Sequence, residues 1–158
     1  MPRITTNLLK ELTEFEKEEI RKTGKEFGEI ELGEHVQKNL NLKETVKFVL
    51  DGFLLKKLLG NVSLWNLFES LLQKLFLIAR NKNGAPLEIQ FWIRDTSNPA
   101  ALNIAFGARE EDEFKDRIIS LKNKLITDIF STHRELEKNK IIWIGFDEEN
   151  NLWSIQFL

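Results

Sequence analysis

Over residues 87–94 apolar and polar side chains alternate one for one, with Leu87, Ile89, Phe91 and Ile93 set against Glu88, Gln90, Trp92 and Arg94. Successive side chains of a strand point to opposite faces, so this stretch demands a sheet with one core-facing side and one of different character. After a turn at residues 96–99 (TSNP), residues 101–106 return as a second strand. Leu102, Ile104 and Phe106 point one way, and Ala101, Asn103 and Ala105 the other. A further hairpin closes the chain, residues 141–146 and 152–158 around a turn-rich loop. Pairing Asp147 with Leu152 gathers Ile142, Ile144, Phe146, Trp153, Ile155 and Phe157 on one face. A slip of one residue would mix Ser154 and Gln156 into that set.

Between these two pairs, residues 110–139 carry the clearest helical period, with Phe114, Ile118, Leu121, Leu125, Ile129 and Leu136 forming a stripe. Acids at its start and Arg134, Lys138 and Lys140 near its end suit the helix dipole. Upstream, the pattern predicts a helix over residues 6–22 capped by Thr5 or Thr6, with Leu8, Leu12 and Phe15 on its apolar face. A short strand is expected at residues 29–32. Asn41 followed by Glu44 fits a capping box opening a helix to about residue 59, with Val46, Val49, Leu50, Phe53, Leu54 and Leu58 inside. Gly60 would end it, and Asn61 or Ser63 would cap the next helix over residues 64–80, making an antiparallel helical hairpin. The expected fold is a single α+β domain, residues 1–158. A helical part, residues 1–82, precedes a ββαββ part, residues 83–158, with a small four-stranded, mostly antiparallel sheet and one long helix.

Composition removes several chemistries. With no cysteine, disulfides, thiolate nucleophiles and cysteine-based zinc or iron–sulfur sites are excluded. The first nineteen residues are charged and lack an apolar signal core, and residues 64–79 are interrupted by Asn66, Glu69, Ser70, Gln73 and Lys74. A cytoplasmic protein without a secretion signal or membrane span is therefore expected. His35 and His133 have no second ligand at metal spacing. Ser131 and His133, two apart, do not face each other on a helix. The acids Asp147, Glu148 and Glu149 read as a solvated hairpin tip. Glu88 and Asp95 resemble half of a metal-dependent nuclease site, but Gln90 stands where such a site needs Lys. No cofactor, metal or catalytic group is expected.

What is left is a surface. If the Ile/Phe set faces the helices, then Glu88, Gln90, Trp92, Arg94, Asn103, Trp143, Ser154 and Gln156 share the other side of the sheet. Trp beside Arg is the composition of a protein-binding hot spot. The architectural alternative is that the hairpin of residues 42–80 covers this side and makes both tryptophans core. The reading that follows is a non-catalytic interaction protein: an adaptor, an accessory subunit or an inhibitor of another protein. Net charge is −2, yet residues 37–82 carry 8 basic and 3 acidic side chains. A nucleic-acid partner reached through Lys43, Lys47, Lys56 and Lys57 is the second reading, and an acid-site enzyme the third. A homodimer through open sheet edges or the first helix is a further expectation.

Overall fold

The computed structural model describes residues 2–35, 45–53, 58, 61–83, 87–95, 98–124 and 141–157. Its centre is a seven-stranded mixed sheet of β1 (Arg3–Thr6), β2 (Glu31–Glu34), β3 (Val46–Asp51), β4 (Leu87–Asp95), β5 (Asn98–Ala108), β6 (Ile141–Asp147) and β7 (Leu152–Phe157). The spatial order is β2-β1-β3-β4-β5-β6-β7. The pairs β1/β2, β3/β4 and β5/β6 run parallel, and the others antiparallel. Three α-helices lie among the described residues: α1 (Glu14–Thr23), α2 (Val62–Asn83) and α3 (Glu111–Lys124).

Local chemistry sets the helix boundaries. Thr13 Oγ1 accepts from the Glu16 amide at 3.1 Å, and Glu16 Oε1 accepts from the Thr13 amide at 2.9 Å, a complete capping box that starts α1. Asn61 Oδ1 accepts from the Leu64 amide at 3.0 Å and opens α2. Gly28, at φ +114°, turns the chain from α1 and a following 3-10 turn toward β2, a conformation that favours glycine. Asn7 ties β1 to β3, donating to the Thr45 carbonyl and accepting from the Lys47 amide, both at 3.1 Å.

All three helices feed one core. Phe114 of α3 stacks on Phe76 of α2 at 4.3 Å between centroids and on Phe106 of β5 at 5.4 Å, and meets Phe91 of β4 edge-on at 6.4 Å. Phe48 of β3 stacks on Phe91 at 5.8 Å. Polar contacts stitch the helix layer: Lys74–Glu19 at 3.2 Å and Lys82–Glu16 at 2.9 Å join α2 to α1, and Arg80–Glu110 at 3.0 Å joins α2 to the start of α3.

The chain is α+β, but the sheet has seven strands rather than the expected four, and the N-terminal part is not a set of helices ahead of it. The segment VKFVLD, residues 46–51, has apolar side chains at a helical spacing that Phe53 continues (Val46, Val49, Leu50), and it also alternates. As β3 it is flanked by β1 and β4, its backbone groups are satisfied on both edges, and Val46, Phe48 and Leu50 are fully buried. Residues 46–51 therefore belong to no helix, and the expected helical hairpin does not form. Residues 3–6 are strand β1, so Thr5 and Thr6 are not helix caps. Thr6 is buried and its hydroxyl accepts from the Leu8 amide at 3.2 Å. Leu8 and Leu12 are buried around a 3-10 turn at Leu9–Glu11, whereas Phe15 on α1 is 73% exposed and does not join them. The strand expected at residues 29–32 lies at Glu31–Glu34. The expected cap at Asn41 and the stop at Gly60 fall outside the described residues, as do Leu54 and the continuation of the last helix beyond Lys124 with His133. The strand expected at residues 87–94 lies at Leu87–Asp95, and the one expected at 101–106 is longer, Asn98–Ala108, so that residues 98 and 99 of the expected turn belong to β5. The pairing of Asp147 with Leu152 stands as expected.

Two substitutions separate core from cap. Phe114→Ala is expected to lower unfolding free energy by about 3–5 kcal/mol, because it opens a cavity among three rings. Thr13→Ala is expected to lower it by about 1 kcal/mol through loss of the hydroxyl that caps α1. Urea denaturation of the two variants against the parent measures both.

Candidate functional site

The core cluster draws only on the helix-facing side of the sheet. Among the described residues no helix packs on the opposite side. The strand registers place Gly33, Thr5, Val49, Trp92, Asn103, Trp143 and Gln156 in one row across all seven strands. On one side of it runs Lys47–Gln90–Ala105–Gly145–Ser154, and on the other Arg3–Asp51–Arg94–Ala101.

Trp92 and Trp143 stand on either side of Asn103, and their rings meet edge to face at 5.5 Å. Both are half-buried, while Asn103 is fully buried. Its amide Nδ2 and Oδ1, with the Trp92 indole Nε1, have no hydrogen-bond partner among the described residues. Leaving such a group buried and unpaired costs about 1–3 kcal/mol. The tryptophans of the core side behave differently: Trp65 Nε1 donates to Glu69 at 2.9 Å and Trp153 Nε1 to the Arg117 carbonyl at 3.0 Å. A buried indole N–H ordinarily finds a partner; among the described residues three of the four buried side-chain polar atoms without one lie on the open face, the fourth being Arg117 Nη1 on α3.

Next to Trp92 lies a cavity of about 230 Å³, lined by Thr5, His35, Lys47, Val49, Trp92 and Arg94. Lys47 Nζ sits 5.2 Å from the Trp92 ring centroid, a cation–π contact. Arg94 forms a two-pronged pair with Asp51, Nε–Oδ1 at 2.5 Å and Nη2–Oδ2 at 2.8 Å, which raises its pKa further. Burial, then the positive charges of Lys47 and Arg94, pushes the His35 imidazole below its ordinary range. Burial and then Arg94 lower the Lys47 ammonium. The site therefore concentrates positive charge that its surroundings only partly compensate.

Of the residues expected on this face, Trp92, Arg94, Asn103 and Trp143 converge. Asn103 lies beneath the indoles rather than at the surface. Gln90 is half-buried beside Lys47 in register, Glu88 is exposed with its carboxylate over Gly107, and Ser154 and Gln156 are exposed toward the β7 edge. Lys47 belongs to the face, while Lys43, Lys56 and Lys57 lie outside the described residues. The described residues of the 42–80 segment do not cover the tryptophans, because residues 46–51 are a strand and α2 packs on the core side. Thr5, His35 and Val49 are members that the sequence reading assigned elsewhere. Reading residues 46–51 as a strand would have placed Lys47, Val49 and Asp51 opposite the core.

Other candidates are simpler. Asp147 closes its own turn, accepting from Asn150 Nδ2 at 2.8 Å and from the Glu149 amide at 3.0 Å, contacts that hold its carboxyl below the usual range. Among the described residues no three His, Cys, Asp or Glu side chains are grouped to hold a metal. The Asp95 side chain is outside the description. A second cavity, about 380 Å³, lies between α3 and the β6–β7 hairpin, where Arg117 is already paired with Glu113 at 2.7 Å and lies over Phe146. Residues 62–82 are long and apolar enough to cross a membrane, and here that helix buries Phe68, Leu72 and Phe76 against the sheet. Comparison with protein-family models, with curated proteins and with solved structures finds no match to this chain.

Two measurements probe the site without a ligand. Asn103→Val replaces unpaired amide atoms with a β-branched side chain suited to a strand, and is expected to raise stability by about 1–2 kcal/mol in urea unfolding. A loss of stability would reveal a partner for the amide. His35 titrates near 6.5 when unfolded and lower when folded. Between those values the unfolded chain holds more protons, so stability rises with pH across that window and is lower below it. His35→Gln is expected to flatten that part of the stability–pH curve.

Proposed function

We propose that this chain is a non-catalytic protein-interaction module of the cytoplasm, an adaptor, accessory subunit or inhibitor, that docks another protein on the open sheet face. The observation that carries the reading is the Trp92–Trp143 pair, half-buried over an unpaired Asn103 on a face that no described helix covers. Rigid aromatic rings with an adjacent Arg supply contact area at low conformational cost, and they recur at the centres of protein interfaces. A partner that covered them would complete the burial and could satisfy the idle amide and indole groups. Nucleic acid is the second reading, favoured by Lys47 stacked on Trp92. Glu88 and Asp51 on the same face oppose a polyanion.

The test is affinity capture from the native host, with and without nuclease, using the parent chain, Trp92→Ala, Trp143→Ala and, as a control on the exposed surface of α1, Phe15→Ser. Thermal unfolding checks each variant's fold. A stoichiometric protein that survives nuclease, is lost with either Trp variant and is kept by Phe15→Ser supports the reading. Retention by folded Trp variants overturns it, and partners lost on nuclease treatment favour nucleic acid.

A further inference from the structure

Resting on that reading, we propose that the cavity beside Trp92 is an anion pocket that seats a carboxylate side chain from an acidic segment of the partner protein. Its lining holds Lys47, Arg94 and His35 and no carboxylate. Asp51 engages Arg94 from beside the cavity, and among the described residues Lys47 carries no carboxylate partner at all. Lys47 is held against the Trp92 ring, partly out of water and near a second cation. A carboxylate entering there would relieve like-charge repulsion and accept hydrogen bonds from the ammonium and the Thr5 hydroxyl.

Size and surroundings select the occupant. About 230 Å³ is below the roughly 300–1,000 Å³ of sites that enclose whole small molecules, and it suits the end of one side chain. The charged groups around it are Arg3 on β1, Glu31 on β2, His35 beyond it, Lys47 and Asp51 on β3, and Glu88 and Arg94 on β4. The three acids at the margin repel a continuous phosphate backbone, whereas a single carboxylate reaches the cations between them. An anion next to His35 also favours the imidazolium, so affinity should rise as pH falls below neutrality while glutamate stays ionised.

The experiment is an NMR titration of the full chain with acetylated, amidated hexaglutamate, with hexaglutamine and a twelve-thymidine DNA strand as comparisons. The expected result is a shift of the Trp92 indole N–H with hexaglutamate and none with hexaglutamine. Lys47→Gln should weaken binding by about fivefold or more, and affinity should grow about threefold from pH 7.5 to pH 6 in the parent but not in His35→Gln. Absence of the shift, undiminished binding by Lys47→Gln, or DNA binding tighter than hexaglutamate overturns the proposal. If Lys47→Gln fails to fold, the pH response of His35→Gln decides. Capture that depends on Trp92 while hexaglutamate does not bind removes the anion pocket and leaves the interaction reading standing. Loss of both removes both.

Discussion

The packing of Phe114 against Phe76, Phe91 and Phe106 holds the architecture together. One ring touches α2, β4 and β5, so α2 and α3 are anchored to the same side of the sheet. Aromatic burial of this kind carries a large hydrophobic contribution and a preferred geometry. With all three described helices on one side, the other side of a seven-stranded sheet must be stable without them.

The open face meets that requirement by partial self-covering. Val49 is buried without belonging to the main core, and the two indoles lean together over Asn103. A fully apolar solution was available at position 103, where Val or Ile would suit the strand. Instead an amide stands there, and neither of its polar atoms is paired among the described residues. Buried polar groups without partners are uncommon enough in folded proteins to call for an explanation, and a surface that becomes complete in contact with another molecule supplies one. The cationic side of the same row, Lys47 and Arg94 with His35, adds charge selectivity to a patch that would otherwise be a generic aromatic contact.

Much of the C-terminal half was legible in the residues. Leu87–Asp95 alternates cleanly, and the hairpin at Ile141 to Phe157 has one register that keeps its apolar set together. Asn61 was readable as a cap because its side chain needs only the amide three residues on. The N-terminal half was not legible, for two reasons. The outer side of β3 carries Val49 between Lys47 and Asp51, so its alternation is blurred and a helical spacing fits equally well. β1 is four residues long, too short for any period, and its pairing with β2 and β3 is settled by distant segments. The candidate site inherits this division. Trp92, Arg94, Asn103 and Trp143 come from the readable strands, whereas Thr5, His35 and Val49 are brought in by β1, β2 and β3. Lys47 could be named as a basic residue, but its place against Trp92 depends on a parallel pairing that no local pattern announces.

That parallel pairing also bears on how the protein is made. The row containing Thr5, Val49 and Trp92 joins strands from opposite ends of the first hundred residues, with β3 between β1 and β4. At a synthesis rate of about 5–20 residues per second, on the order of ten seconds separates the emergence of β1 from that of β4. During that interval β3 waits with its β4-facing edge unpaired, whereas the β4–β5 and β6–β7 ribbons can close as soon as each is complete. The half of the binding face that supplies His35 and Lys47 is therefore the half that nascent-chain chaperones have the longest opportunity to meet.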